Sequence, residues 1–164
     1  MIPRSRLLLV LLLAVLGAVA ADARLGETMG DLKKRFGSPV PATQARKDQA
    51  FWLFEGDDGQ LMYSVTFNAK GQSIAEGLKP LKRARFNRTI ALDFIDSESV
   101  VLGNSKTTRE LKPGDVYGFG GKKYVCGEQE YVVVDEPRGV LIIWSQGGIP
   151  NVLVLAPEMM AQMN

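Results

Sequence analysis

Apolar residues follow two rhythms along this chain. Met29, Leu32 and Phe36 recur at helical spacing and predict a short helix over roughly Thr28 to Phe36. Thr28, with Asp31 three residues on, resembles a capping box with Asp in place of the usual Glu. Lys33, Lys34 and Arg35 sit toward the C-terminal end, where the helix dipole favours cations. Gly37 stops the helix and Pro39 keeps it from resuming. After a polar connection from Val40 to Gln49, the rhythm becomes alternation. It predicts strands at Ala50 to Glu55, Leu61 to Phe67 and Ser73 to Leu78. Asp57-Asp58-Gly59 and Asn68-Ala69-Lys70-Gly71 mark the turns between them.

The second half repeats this order. A helix is predicted over roughly Thr89 to Leu102, with Ile90, Ala91, Phe94 and Ile95 on one side. Residues 103–121, rich in Gly, Thr and Lys, read as a long loop. Strands are predicted at Lys123–Cys126, Tyr131–Asp135, Val140–Ser145 and Val152–Leu155, and the end, EMMAQMN, as at most one helical turn. The strand regions align without gaps at an offset of 80. Phe51 to Glu55 lies on Tyr131 to Asp135, Leu61 to Tyr63 on Leu141 to Ile143, and Ile74 on Val154. Phe36-Gly37-Ser38 also matches Leu102-Gly103-Asn104, which places an insertion of 14 residues between the second helix and its meander. The expected fold class is α+β: a short helix packed on an antiparallel meander, duplicated in tandem. The expected layout is a signal peptide at 1–23, a first unit at 24–78, a basic linker at 79–88 and a second unit at 89–164.

The signal reading comes from Arg4 and Arg6, the apolar run Leu7 to Leu16, and small-x-small sites at Ala18-Val19-Ala20 and Ala21-Asp22-Ala23. The expected location is secreted or periplasmic. No Cys follows the apolar run, so no lipid anchor is expected by the lipoprotein route. Charge is uneven beyond the signal. Residues 24–91 hold 12 basic and 7 acidic residues, whereas 92–164 hold 6 and 10. With no His and one Cys, the 164-residue chain has no Ser-His-Asp triad, Cys-His dyad, His-ligated metal centre or internal disulfide.

Gly26-Glu27-Thr28, Leu32 and Phe36-Gly37-Ser38-Pro39, followed by an aromatic-rich strand and two more, resemble the SmpA/OmlA (BamE-like) envelope proteins. Their pattern is G-x-T, an apolar helix, a G-x-P turn and an antiparallel meander. A tandem copy of such a unit resembles the β-lactamase inhibitor protein fold. The resemblance implies a secreted, non-enzymatic module that binds protein, with inhibition of a secreted hydrolase as the alternative. The chain lacks the lipid-bearing Cys of those proteins, and its second half has no G-x-T opening.

Candidate chemistry is sparse. Cys126, in KKYVCGE, has lysines close by but no His to act as base, and reads as a buried small apolar residue. Gly118 to Lys122 invites a phosphate-loop reading, but Val116 and Lys123 break the pattern. The carboxylate pairs Asp57/Asp58 and Asp135/Glu136 sit at hairpin turns. They are candidates for an enzyme only if a cleft gathers them. Met159, Met160 and Met163 read as a packed or frayed tail rather than as soft metal ligands, and Asn87-Arg88-Thr89 is a sequon. Two groups are candidates for binding. Trp52, Tyr63 and Phe67 form one aromatic face of the first meander, with Phe51 and Phe54 assigned to the other. Lys79, Lys82, Arg83, Arg85 and Arg88 could dock on an anionic envelope surface. A protein partner is expected, and neither a cofactor nor a nucleic acid. N-terminal sequencing of the exported chain is expected to find Ala21 or Arg24 first; an intact Met1 on the exported protein would refute the cleavage reading.

Overall fold

A computed structural model describes residues 25–41, 46–56, 59–81, 84–97 and 108–162. The signal segment, the Asp57-Asp58 turn, Lys82, Arg83, the stretch 98–107 and Met163 lie outside them. The elements run α1 (Met29–Phe36), β1 (Gln49–Gly56), β2 (Gly59–Phe67), β3 (Ser73–Leu81), α2 (Arg88–Ser97), β4 (Thr108–Leu111), β5 (Val116–Phe119), β6 (Lys122–Val125), β7 (Glu130–Asp135), β8 (Val140–Ser145), β9 (Asn151–Leu155) and α3 (Pro157–Gln162). Strands β1-β2-β3-β9-β8-β7-β4 form one seven-stranded sheet, and β5 pairs with β6 apart from it. All pairings are antiparallel. The protein is therefore α+β, with short helices and an antiparallel sheet.

The capping box is present as read. Thr28 Oγ1 accepts from the Asp31 amide at 3.3 Å, and Asp31 Oδ2 accepts from the Thr28 amide at 3.2 Å. The Thr28 hydroxyl also donates to Asp31 Oδ2 at 2.6 Å, and this bond, with that from the Thr28 amide, holds the Asp31 carboxyl below the ordinary carboxylate range. Gly37 caps the helix at φ +76°, where a glycine is free of Cβ strain. The second helix starts one residue earlier than expected, because Asn87 Oδ1 accepts from the Ile90 amide at 3.0 Å and acts as its cap.

Helix then meander occurs twice in chain order, and the third strands of the meanders, β3 and β9, pair at the centre. Moved 80 residues along the chain, the β1–β2 pairs from Ala50↔Val65 to Glu55↔Gln60 fall on the β7–β8 pairs. Phe51↔Ser64 becomes Tyr131↔Trp144, and Phe54↔Leu61 becomes Val134↔Leu141, but the faces are exchanged: Phe54 and Leu61 pack on the helix side, and Val134 and Leu141 on the other. The third strands keep the order but not the offset, so Ile74 does not align with Val154. β9 begins at Asn151, two residues before the position that matches Ser73.

Both longer helices cover one face of the sheet. Leu32 of α1 and Ala91, Phe94 and Ile95 of α2 pack on Trp52, Tyr63, Val65, Leu78, Ile142, Val152 and Val154. Tyr63 is the hub of an aromatic cluster, with ring centroids 5.3 Å from Phe36, 5.7 Å from Trp52 and 6.1 Å from Phe94. The Trp52 indole donates to Gly37 O at 3.0 Å and ties the end of α1 to the sheet. The strand alternation puts Glu76 on this apolar face, 1% exposed. Its carboxylate accepts from the Tyr63 hydroxyl and, at 2.9 Å, from Ser73 Oγ. Ser73 Oγ in turn accepts from the Gly26 amide at 2.9 Å, which fixes the start of the described chain to β3.

Three expectations need correction. The region read as one loop contains β4 and the β5–β6 hairpin, whose Gly120 and Gly121 have φ +58° and +77°. That two-residue turn needs positive φ at both positions, so GFGGK is hairpin chemistry rather than a phosphate loop. β3 runs on to Leu81, so Lys79, Pro80 and Leu81 belong to a strand and not to the linker. The C-terminal helix spans six residues, more than one turn, because Met160 anchors it in the core.

Tyr63→Phe keeps the ring and removes a donor to the buried Glu76 carboxylate. The variant is expected to lose about 1–3 kcal/mol, read as a lower urea midpoint with an unchanged slope. An unchanged midpoint would show that the carboxylate does not depend on that hydroxyl.

Candidate binding site

The second face of the sheet is covered over only half its width. The β5–β6 hairpin and α3 lie across β7, β8 and β9, burying Phe119, Cys126 and Met160 against Leu111, Val132, Val134, Leu141, Ile143 and Leu155. Gly120 at the hairpin tip makes this approach possible: a Cβ there would stand 2.1 Å from Pro157 O. The C-terminal helix also reaches β3, where Ala75 belongs to this core; over β1, β2 and the rest of β3 the same face has no such cover among the described residues.

Register fixes what that open half carries. One row across the strands reads Gln49, Thr66, Ala75, Leu155; the next reads Phe51, Ser64, Gly77, Leu153, Ile143; the third reads Leu53, Met62, Lys79. In the first two rows small side chains on β2 and β3 lie between larger ones, and the surface dips there into a short trough; Met62 and Lys79 end it in the third. Toward α3 it forms a hollow of about 320 Å³ lined by Ile143, Leu153, Leu155, Tyr124, Met159 and Met160. Toward the open end it forms one of about 340 Å³ lined by Phe51, Met62, Lys79, Asn151 and Leu153. Gln49, Ser64, Thr66, Gly77 and Leu153 border both, so the two hollows adjoin. Apolar lining with a few polar groups is the usual make-up of a ligand site.

The residues expected to bind are only partly brought here. Trp52, Tyr63 and Phe67 are 2%, 2% and 7% exposed, and form the helix-side core rather than a binding face. Both α1 and α2 cover them. Phe51 and Phe54 do not share a face: Phe54 packs with Tyr63 under α1, and Phe51 alone faces the trough. Odd and even strand positions point oppositely, which separates this pair. Of the basic group, Lys79 borders the trough, Arg85 and Arg88 are exposed elsewhere, and Lys82 and Arg83 lie outside the described residues. Sequence reading missed Ser64, Thr66, Ala75 and Gly77, whose signal is small residues facing one way on adjacent strands.

Other candidates resolve into structural roles. Cys126 is buried, its thiol 3.7 Å from Leu111 O and Gly127 O. Burial, with the Glu130 and Asp115 carboxylates, pushes the thiol above its ordinary range, so neither a reactive thiolate nor a mixed disulfide is favoured. Glu130 Oε2 accepts from the Tyr124 hydroxyl at 2.5 Å and the Gly127 amide at 2.8 Å, and burial and that carboxylate push the phenol upward. Buried Asp135 accepts from the Arg138 amide at 3.2 Å and caps its own turn. Met159 and Met160 pack against the second-face core. Among the described residues no three His, Cys, Asp or Glu side chains gather to hold a metal.

No family model matches the chain, and no curated protein matches it. Among solved structures, a cysteine-rich secretory protein from Staphylococcus aureus is similar at a TM-score of 0.38 and 14% identity. The match covers 84% of this chain and 46% of that one, so the chain spans about half the length of that protein.

The Cys126 geometry predicts that the folded protein resists thiol reagents at pH 8 and reacts at once when unfolded in urea. Because its folded pKa is raised, the thiol contributes stability below the ordinary thiol range that is lost as pH rises through it. Rapid alkylation of the native protein would overturn this placement.

Proposed function

We propose that this chain is a secreted or periplasmic, non-enzymatic envelope module that binds a protein partner on the open half of its sheet. The observation that carries the reading is the uneven cover of the second face. Phe51, Leu53 and Met62 stand there with no described element over them, and Leu53 is 40% exposed. Aromatic and Met side chains are favoured at interfaces, and a rim carrying Lys79 suits a partner with acidic groups. The other basic residues of the 79–88 stretch would bring an anionic envelope surface close.

We further infer that the two helix-plus-meander units arose by tandem duplication of a BamE-like unit. The repeated order of helix and meander, and the pairing of the third strands at the centre, support it. In this reading the second unit gained β4 to β6, and that insertion covers its own half of the sheet.

The test is mild crosslinking of the tagged mature chain in its native envelope fraction, followed by mass spectrometry. One reproducible partner is expected, with recovery reduced at least about tenfold by Phe51→Asp or Met62→Asp and the unfolding midpoint unchanged. Capture that both variants leave intact would move the interface off this face.

A further inference from the structure

We propose that the outer edge of β1, at Leu53 and Glu55, takes up an extended segment of a protein partner as an added antiparallel strand. The inference rests on reading the open half of the sheet as a protein-binding surface, and it names the partner's chemistry.

Two hydrogen bonds fix which way the main chain of β1 points. The Phe67 amide of β2 donates to Asp48 O at 2.8 Å, so even-numbered positions turn toward β2. The Val40 amide donates to Phe51 O at 2.8 Å from the other side, so odd-numbered positions turn outward. In an antiparallel ladder the N–H and C=O of one residue point the same way, and every second residue repeats the direction. Leu53 and Glu55 therefore aim both groups off the sheet, and no described residue bonds them there.

The two edges of the sheet are guarded differently. Sheets blunt an edge with short strands, charges, prolines or bulges. At the far edge β4 spans four residues and exposes Arg109 and Glu110. β1 spans eight, pairs with β2 without a register shift, and holds neither proline nor lysine. Its guard is the passing chain Pro39-Val40-Pro41, which meets it at Phe51 through the one bond from Val40. Beyond Phe51 the edge is bare among the described residues. Leu53 is 40% exposed, and Glu55 is exposed too.

Alternating donors and acceptors along an edge are met by another extended main chain. A second copy of this chain fits poorly. A two-fold pairing that clears Val40 centres on Phe54 and sets Leu53 against the copy's Glu55. So short an overlap falls well under the roughly 1,000 Å² of a stable interface, and it brings the two Glu55 carboxylates onto one face. A segment of a larger partner is not so limited, because the rest of that partner reaches Phe51 and Met62 on the open face. Glu55 is the one charged side chain of β1, and Gln60 Nε2 donates to it at 2.7 Å. It calls for a cation opposite, and Leu53, on the same face, for an apolar side chain. Antiparallel pairing then reads basic-x-apolar along the partner from its N-terminal side.

The probe is the synthetic peptide acetyl-Thr-Thr-Lys-Thr-Val-Thr-Thr-amide, titrated into the isotope-labelled mature chain and followed by NMR. Saturable binding is expected. The Leu53 and Glu55 amides should gain protection from hydrogen exchange, while those of Trp52 and Phe54, already turned to β2, keep theirs. N-methylation of the peptide's Lys and Val amides should weaken binding at least about tenfold. Leu53→Pro removes only an outward N–H, so it should abolish binding with little change in the unfolding midpoint. Glu55→Lys should weaken binding of this peptide at least about threefold and favour the version with Glu in place of Lys. No binding, or binding that survives both Leu53→Pro and N-methylation, overturns strand addition. A dimer of the free chain that Leu53→Pro dissolves overturns the choice of partner in favour of a second copy. If the peptide fails while envelope capture still depends on Phe51 and Met62, strand addition is wrong and the binding-surface reading stands. Loss of both removes both.

Discussion

Strand β3 meets opposite demands on its two faces, and the rest of the architecture follows from how it meets them. It is the seam of the sheet, pairing with β2 of its own meander and with β9 of the other. On the helix side it places Glu76 in an apolar core. A buried carboxylate is tolerable only with donors aimed at it, and Tyr63 and Ser73 supply them. Tyr63 can do so because it is also the aromatic hub on which α1 and α2 converge. One residue along, on the opposite side, β3 places Gly77, and Leu153 Cδ2 and Ser64 Oγ take the space that a Cβ there would need. A one-residue slip of β3 would exchange these roles, burying a glycine and opening a carboxylate to the second face.

Cover on the second face is unequal because the two halves of the chain are unequal between helix and meander. The first half passes from α1 to β1 through a short connection, in which the Val40 amide donates to Phe51 O at 2.8 Å beside the sheet edge. The second half carries β4 and the β5–β6 hairpin at the corresponding place. The hairpin turns onto the sheet through Lys112 to Asp115, where Asp115 Oδ2 accepts from the Lys112 amide at 2.9 Å and the Gly114 amide donates to Cys126 O at 2.9 Å. Tyr117 and Phe119 then face inward, while Val116 and Val125 stay exposed at 57% and 58%. A hairpin that covers part of a sheet needs one apolar side, and this one has it.

The parts of this fold set by local chemistry were legible in the sequence. The capped helix Met29–Phe36, the turns and the alternation in β2 and β8 each follow from residues within a few positions of one another. The alignment at an offset of 80 matched paired positions but not faces, since Trp52 and Tyr63 lie under the helices and Val132 and Ile143 on the other side. What was not legible depends on tertiary placement. Thr108 to Phe119 shows little hydrophobic rhythm, since its strands are short and bury one or two residues each. Trp52, Tyr63 and Phe67 looked like a binding face because one strand cannot reveal which side two distant helices will cover. The trough was hidden for the same reason. Ser64, Thr66 and Gly77 read singly as the polar side of a meander, and become a depression only beside Leu153 of another strand.

The composition of that face follows from how neighbouring strands pack. A strand face meant for water carries long polar side chains, and one meant for a core carries branched apolar ones. The open half of this sheet does neither. Small residues lie in the middle of two rows, with Phe51 on one side and Leu153 on the other, and Met62 and Lys79 end them. Glycine within a strand costs backbone entropy and gives up packing, by about 0.5–1 kcal/mol relative to alanine. At Gly77 that cost has a cause inside the chain, because a Cβ there would stand 2.8 Å from Leu153 Cδ2. The same face over β7 and β8 shows that this sheet accommodates branched apolar residues, with Val132, Val134, Leu141 and Ile143 at equivalent depth. The difference between the halves is therefore not imposed by the sheet. It comes from side-chain choice, with Leu153 of the neighbouring strand leaning over Gly77 where the other half packs branched side chains against the hairpin.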